Sequence, residues 1–307
     1  MTPTVETADF TSLHAAQDVK IPLALTALSP ISHGAGSKGN TQLLRTHDVL
    51  DPDHNVTAAP YVSGSSIRHS LRAELGWHLV RALELPGQSL PKPVVDLLWS
   101  GGAISTTGSQ ADLSQIRRVH QLIPGLGLLG YSAKSDIVAG TLWVRHAELV
   151  CWENSTRLPG RLADHPLASR GSGGLRTEDF STRRDVVGTP VDRFIAAAEG
   201  ELWDSTQMIW DTQYIGIGSV LYTTVELSTP TLGHTAALAT ALDLAAPLED
   251  GMRVLHLGGK RASGHGACAV DSPELDSCDL ASWRARYDDH LAAHREEILA
   301  LLSEVTG

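Results

Sequence analysis

Ile21–Thr41, IPLALTALSPISHGAGSKGNT, joins an alternating apolar segment to a glycine-rich turn. Ile21, Leu23, Leu25 and Ala27 fall on one side of an extended chain, which predicts a strand; Pro22 is tolerated near its start. Gly34, Gly36 and Gly39 then spell G-x-G-x-x-G, the dinucleotide fingerprint. Gly34–Thr41 also reads G-x-x-x-x-G-N-T, a P-loop with Asn40 in place of its lysine. Both cradles need a helix to begin at once, so that its free N–H groups meet the phosphate. The next twenty residues, QLLRTHDVLDPDHNVTAAPY, carry two prolines and no helical period. The chain is therefore not read as a nucleotide-cofactor protein, and no cofactor is expected.

A helix does follow, later. In PYVSGSSIRHSLR (Pro60–Arg72) a Gly-Ser-Ser turn opens a segment where Ile67, Leu71, Leu75 and Leu79 recur every four residues. Ser65 or Ser66 is the expected cap, and Pro86–Gly87 the stop. Further strands are expected at Gly140–Val150, at Gly216–Leu227 with Ile217, Leu221, Val225 and Leu227 on one face, and at Arg253–Gly259. Helices are expected at Thr231–Leu248 and over about 280–305, where Trp283, Tyr287, Leu291 and Ile298 keep a helical stripe. Strand, helix, strands, helix, strand predicts an α+β fold with a ferredoxin-like (RRM-like) core carrying long insertions. One domain is expected over 1–307, its core at about 18–152 and 206–275. The clearest insertion, about 153–205, is rich in Gly, Ser and Arg at its centre and reads as a thumb-like loop.

The 307 residues are 42% hydrophobic, enough for a real core, and the formal net charge of -11 argues against a general polyanion binder while allowing a local basic groove. Three cysteines without a C-x-x-C pair predict reduced thiols in a cytoplasmic protein. The start is polar and acidic, unlike a signal peptide, and no segment has the length and apolarity of a membrane span. Asp48, Asp51, Asp53 and His54 read as a solvated turn, so no metal is expected. The seven tryptophans are mostly core candidates, with Trp203 and Trp210 beside the insertion able to stack on bases.

Basic and hydroxyl side chains cluster at two glycine-rich turns. Arg68 and Arg72 lie four apart behind Ser65 and Ser66. Lys260, Arg261 and His265 sit in LGGKRASGHG (Leu257–Gly266), where glycines let the main chain approach a ligand. The pattern suggests a groove for an RNA backbone.

The order SPISHGAGSKGN, PYVSGSSIRHSLR, LGLLGYSAKSDIVAGTLWVRHAEL, LGGKRASGHG resembles the CRISPR RAMP superfamily, and in it the subunit that polymerises along the guide RNA of multisubunit effectors, with a type IV-like effector favoured. Ser63 stands where that family usually has proline, and GLLGYS lacks its aromatic residue. The resemblance covers about 21–149 and 217–270. It implies a guide-RNA partner, copies of itself in a helical filament, other effector subunits, complementary target nucleic acid met through the guide, and no membrane. It implies RNA contacts at Lys38, Asn40, Arg45, Ser65, Ser66, Arg68, Arg72, Lys260, Arg261 and His265, with Arg176, Arg183 and Arg184 on the thumb. RNA-cutting relatives keep an aspartate where Asn40 stands, and an amide is neither a base nor an anionic metal ligand. No catalytic residue is therefore expected. The alternative is a target-cutting ribonuclease using Asp48, or a guide-processing one using a histidine among His33, His47 and His265.

Overall fold

The computed structural model describes residues 9–85, 90–104, 112–134, 136–183 and 208–307. Its strands are β1 (Val19–Ala27), β2 (Gly34–Lys38), β3 (Thr41–Leu44), β4 (Thr46–Leu50), β5 (Val56–Val62), β6 (Tyr131–Ala133), β7 (Asp136–Val138), β8 (Leu142–Val144), β9 (Ala147–Leu149), β10 (Arg176–Arg183), β11 (Met208–Ile215), β12 (Val220–Leu227), β13 (Leu248–Glu249), β14 (Met252–His256) and β15 (Ala267–Asp271). The helices are α1 (Gly64–Ala82), α2 (Lys92–Val95), α3 (Leu113–Leu122), α4 (Pro124–Leu129), α5 (Gly160–Ala163), α6 (Leu232–Ala245), α7 (Pro273–Asp276), α8 (Leu280–Ala293) and α9 (Arg295–Thr306).

The main sheet runs β13-β14-β15-β1-β12-β9-β5-β4, every neighbour antiparallel, with β8 joined to β12 beside β9. β1 lies near its middle. Its period-two side, Ile21, Leu23 and Leu25, is buried with Leu221, Val225 and Leu227 of β12 against Ile67, Leu71 and Leu75 of α1 and Ala237, Leu238 and Ala241 of α6. α8 and α9 close this core with Tyr287, Leu291, Ile298 and Leu301. The other side of the sheet is not bare. Ala24, Val220 and Tyr222 pack against Leu158, Leu162, Leu167 and Ala168, in the short helical turns before β10. A second sheet, β10-β11-β3-β2, stands beside the first; within it β11 and β3 run parallel.

Several expectations need correcting. The glycine turn is a β-hairpin, β2–β3, because Lys38 pairs with Thr41 and leaves Gly39 and Asn40 as its tip. Ser63, not Ser65 or Ser66, caps α1: its side chain accepts the Ser66 N–H at 3.3 Å. The strand expected at Gly140–Val150 is broken into β8 and β9 at Arg145–His146. Ile217 is 67% exposed, because the chain turns at Gly216–Ser219 before β12 begins. The C-terminal helix is two helices, parted at His294. Arg176–Arg183, expected to lie in a loop, is a strand paired along its length with β11. Trp77 and Trp143 are exposed rather than core; Trp203, Pro86 and Gly87 lie outside the described residues. Cys151 and Cys268 are buried and Cys278 exposed, all three free thiols.

The helical layer carries a histidine pair, His234 buried and His120 half-buried. At the start of α6, Thr231 accepts the His234 N–H and donates its own N–H to His234 Nδ1, both at 3.2 Å. That fixes the His234 proton on Nε2, which donates to His120 Nδ1 at 3.0 Å. Burial, with His120 beside it, pushes the His234 imidazole down to about 4. The folded state thus holds a neutral ring that the unfolded chain protonates near pH 6.5. Its contribution is complete above that value and is lost as pH falls from 6.5 towards 4. In urea unfolding at pH 7 and pH 4.5 this ring should account for an acid loss on the order of 3 kcal/mol, and a His234→Gln variant should lose that much less than the wild type.

Candidate nucleic-acid interface

The chain leaves β1 through Ile31, Ser32 and His33, and main-chain bonds there join distant segments. Ile31 exchanges both its hydrogen bonds with Ile215, at 2.9 and 3.0 Å. Ser32 O accepts the Gly259 N–H at 2.8 Å, and Pro30 O accepts the Gly266 N–H at 2.9 Å. The second glycine-rich turn is thereby fastened to the root of the first. Gly258 makes the approach possible: at φ +73° a Cβ would lie 2.1 Å from Ser32 O.

On this frame Lys260, itself at φ 60°, reaches across to β11. Its Nζ donates to Thr212 Oγ1 at 2.8 Å and to the Tyr214 hydroxyl at 3.2 Å. The His265 ring stacks on Tyr214 at 4.8 Å. Arg261 is exposed beside them, as are Lys38 and Asn40 at the hairpin tip. Arg45 is turned inward, donating from Nε to Gly34 O at 3.2 Å, and so braces the hairpin's base.

The start of α1 adjoins the same root. His33 Nε2 accepts the Ser63 N–H at 3.1 Å, and His33 O accepts the Arg45 N–H at 2.8 Å. Ser65 is exposed on the first turn, its hydroxyl 3.1 Å from that of Ser63, and Ser66 is half-buried. Lys38, Asn40, Ser65 and Arg261 are the expected RNA contacts that face solvent here.

Arg68 and Arg72 have other partners. Both guanidiniums donate to Leu129 O, and Arg72 Nη2 also to Gly130 O at 2.8 Å, closing the carbonyl end of α4. Burial, with Arg68 beside it, pushes the Arg72 guanidinium down to about 10. Arg176 likewise spends a guanidinium hydrogen bond on Ala58 O at 3.2 Å, away from the hairpin tip. Arg183 ends β10, opposite Met208. Arg184 lies outside the described residues.

One acid in this region escaped sequence reasoning. Parallel pairing of β11 with β3 sets Asp211 opposite Thr41, whose hydroxyl donates to Asp211 Oδ2 at 2.8 Å; the Asp211 N–H meets Asn40 O at 3.1 Å. No local motif marks a contact spanning 170 residues. Asp48 is exposed on β4, and Asp51 accepts the N–H groups of Asp53 and Asn55 in a closed turn. Among the described residues no group of three His, Cys, Asp or Glu is placed to hold a metal ion, and no helix is long and apolar enough to cross a membrane.

No protein-family model and no curated protein matches the chain. Among solved structures, it is similar to a chain of the "Type IV-B CRISPR Complex", with a TM-score of 0.56 over 83% of this chain and 90% of that one. Sequence identity is 20%, so the likeness is one of fold.

Arg72 in this arrangement is a structural side chain. Arg72→Ala removes two charge-assisted hydrogen bonds from buried carbonyls and should cost about 2–4 kcal/mol in chemical denaturation. Lys38→Ala should change stability by less than about 0.5 kcal/mol.

Proposed function

We propose that the chain is a non-cleaving backbone subunit of a CRISPR effector, working in the cytoplasm, that binds guide RNA and polymerises head-to-tail along it. The observation that carries this is the fold shared with a chain of a CRISPR complex over nearly the whole of both chains. The core supports it. β1, α1, β9, β12, α6 and β15 follow a βαββαβ order, and their strands stand in the sheet as β15-β1-β12-β9, fourth-first-third-second and all antiparallel. That order supports reading the core as ferredoxin-like, with β2–β3 and β10–β11 as additions. The paired strands β10 and β11 take the place of a thumb.

The RNA path runs over the exposed hairpin tip, the first turn of α1 and the second glycine turn. Lys38 and Arg261 supply charge, Asn40 and Ser65 supply hydrogen bonds, and Arg45, Lys260 and His265 hold the frame. Each protomer offers a short strip to the polyanion, so affinity comes from stacking of copies, each added subunit binding in effect intramolecularly. A head-to-tail contact repeats without closing and grows a filament. The guide, not the protein, then reads complementary target nucleic acid, and other effector subunits complete the particle.

Asp211 is the observation that favours the ribonuclease reading, because a carboxylate does lie against Thr41, the residue after Asn40. It already accepts the Thr41 hydroxyl, and among the described residues it belongs to no group of three His, Cys, Asp or Glu placed to hold a metal ion. Two experiments test the proposal. With long single-stranded RNA, light scattering and electron microscopy should give RNA-length filaments, and Lys38→Ala or Arg261→Ala should each lower the salt slope of binding by about one. A protein that stays monomeric on such RNA contradicts the proposal. Labelled guide and target should also remain intact with magnesium or manganese. Cutting that Asp211→Asn or Asp48→Ala abolishes would make the chain a nuclease.

A further inference from the structure

Two imidazoles hold the start of α1. His33 Nε2 accepts the Ser63 N–H at 3.1 Å, and His146 Nδ1 accepts the Gly64 N–H at 3.0 Å. A main-chain N–H can only donate, so both acceptor nitrogens are bare: His33 carries its proton on Nδ1 and His146 on Nε2. The two rings come from different strands. His33 stands between β1 and β2, and His146 fills the break between β8 and β9. Between them lies Tyr61, 6.1 Å from the His33 ring and 4.8 Å from that of His146. His47 stacks on Tyr61 at 4.4 Å, with its Nε2 2.9 Å from Glu148 Oε2. Gly64 lies so close to β8 that a Cβ would sit 2.1 Å from Val144 O, so the helix start rests directly on that strand.

We infer that His33, with His146 holding Gly64 beside it, is a proton-sensitive latch that positions the first turn of α1, and with it the exposed Ser65 of the RNA-facing strip. This rests on the reading above for what the turn contacts, but not for the latch itself. Proton uptake removes the acceptor lone pair. It then leaves an imidazolium against an N–H donor, at the positive end of a 19-residue helix. The surrounding charges oppose uptake. Arg45 faces His33, and His146 is close enough to add its own charge once protonated. Arg145 adjoins His146 and pairs with Glu226 at 3.3 Å; Arg176 reaches β5. Glu148 favours uptake but is shared between His47 and Arg157, 3.9 Å away. The exposed Asp48 follows His47 on β4. Burial first, then Arg45 and His146, holds the His33 imidazole below its ordinary range. The latch is shut at neutral pH, and its stability is lost as pH falls below about 6.5.

Amide hydrogen exchange on the full chain without RNA tests the latch. After correction for intrinsic rates, the Ser63 amide should lose about tenfold of its protection between pH 7.5 and 5.5, the worth of one hydrogen bond. Global opening also rises with acid, through His234, so the control is a His33→Gln variant, whose amide oxygen still accepts but does not titrate and in which Ser63 protection should be flat with pH. Unchanged wild-type protection at Ser63 overturns the latch, whatever the variant does. So does the same pH profile in a folded variant. Binding of single-stranded RNA at pH 7.5 is the separate arm: no binding refutes the RNA reading, and the exchange result then stands alone.

Discussion

Four main-chain hydrogen bonds at Pro30, Ile31 and Ser32 hold the described arrangement together. Buried peptide groups must find partners, and here the partners come from β11 and from the turn after β14. Through Ile215 the bonds fix where the second sheet begins; through Gly259 and Gly266 they bring the late glycine turn beside the early hairpin. His33, the next residue, extends the same junction to α1. Three segments separated by tens to hundreds of residues thus share one root, and the proposed RNA strip is the outer surface of that root.

The cations divide by what holds them. Arg45, Arg68, Arg72, Arg176 and Lys260 each give hydrogen bonds to the protein's own oxygens. Guanidinium forks suit carbonyl clusters as well as phosphates, so a basic pair at helical spacing does not distinguish the two uses. Lys38 and Arg261 remain exposed, in a chain with a formal net charge of -11. On the proposed function, an acidic body with a small basic strip favours a polyanion that can meet several strips in series.

Much of the fold was legible because burial imposes a period. Ile21, Leu23 and Leu25 alternate, Ile67, Leu71 and Leu75 recur every four residues, and both patterns became core. The stretch from Gln42 to Tyr61, with two prolines and no helical period, forms strands, and no helix begins there. The site was less legible, for a physical reason. Whether Arg72 meets a phosphate or Leu129 O, and whether Asn40 has an acid beside it, depends on pairings across 57 and 170 residues. The break at Arg145–His146 is equally non-local: the start of α1 lies against it, with Val144 O 2.1 Å from where a Gly64 Cβ would stand.

The central claim is that RNA lies over the joined root of the hairpin, α1 and the second glycine turn. Ultraviolet cross-linking of the assembled protein to RNA, read by mass spectrometry, tests it directly. The account predicts cross-linked peptides from 34–45, 63–72 and 258–266, with few from the helical layer of α6, α8 and α9. Cross-links concentrated on that helical layer, with none at the three segments, would contradict it.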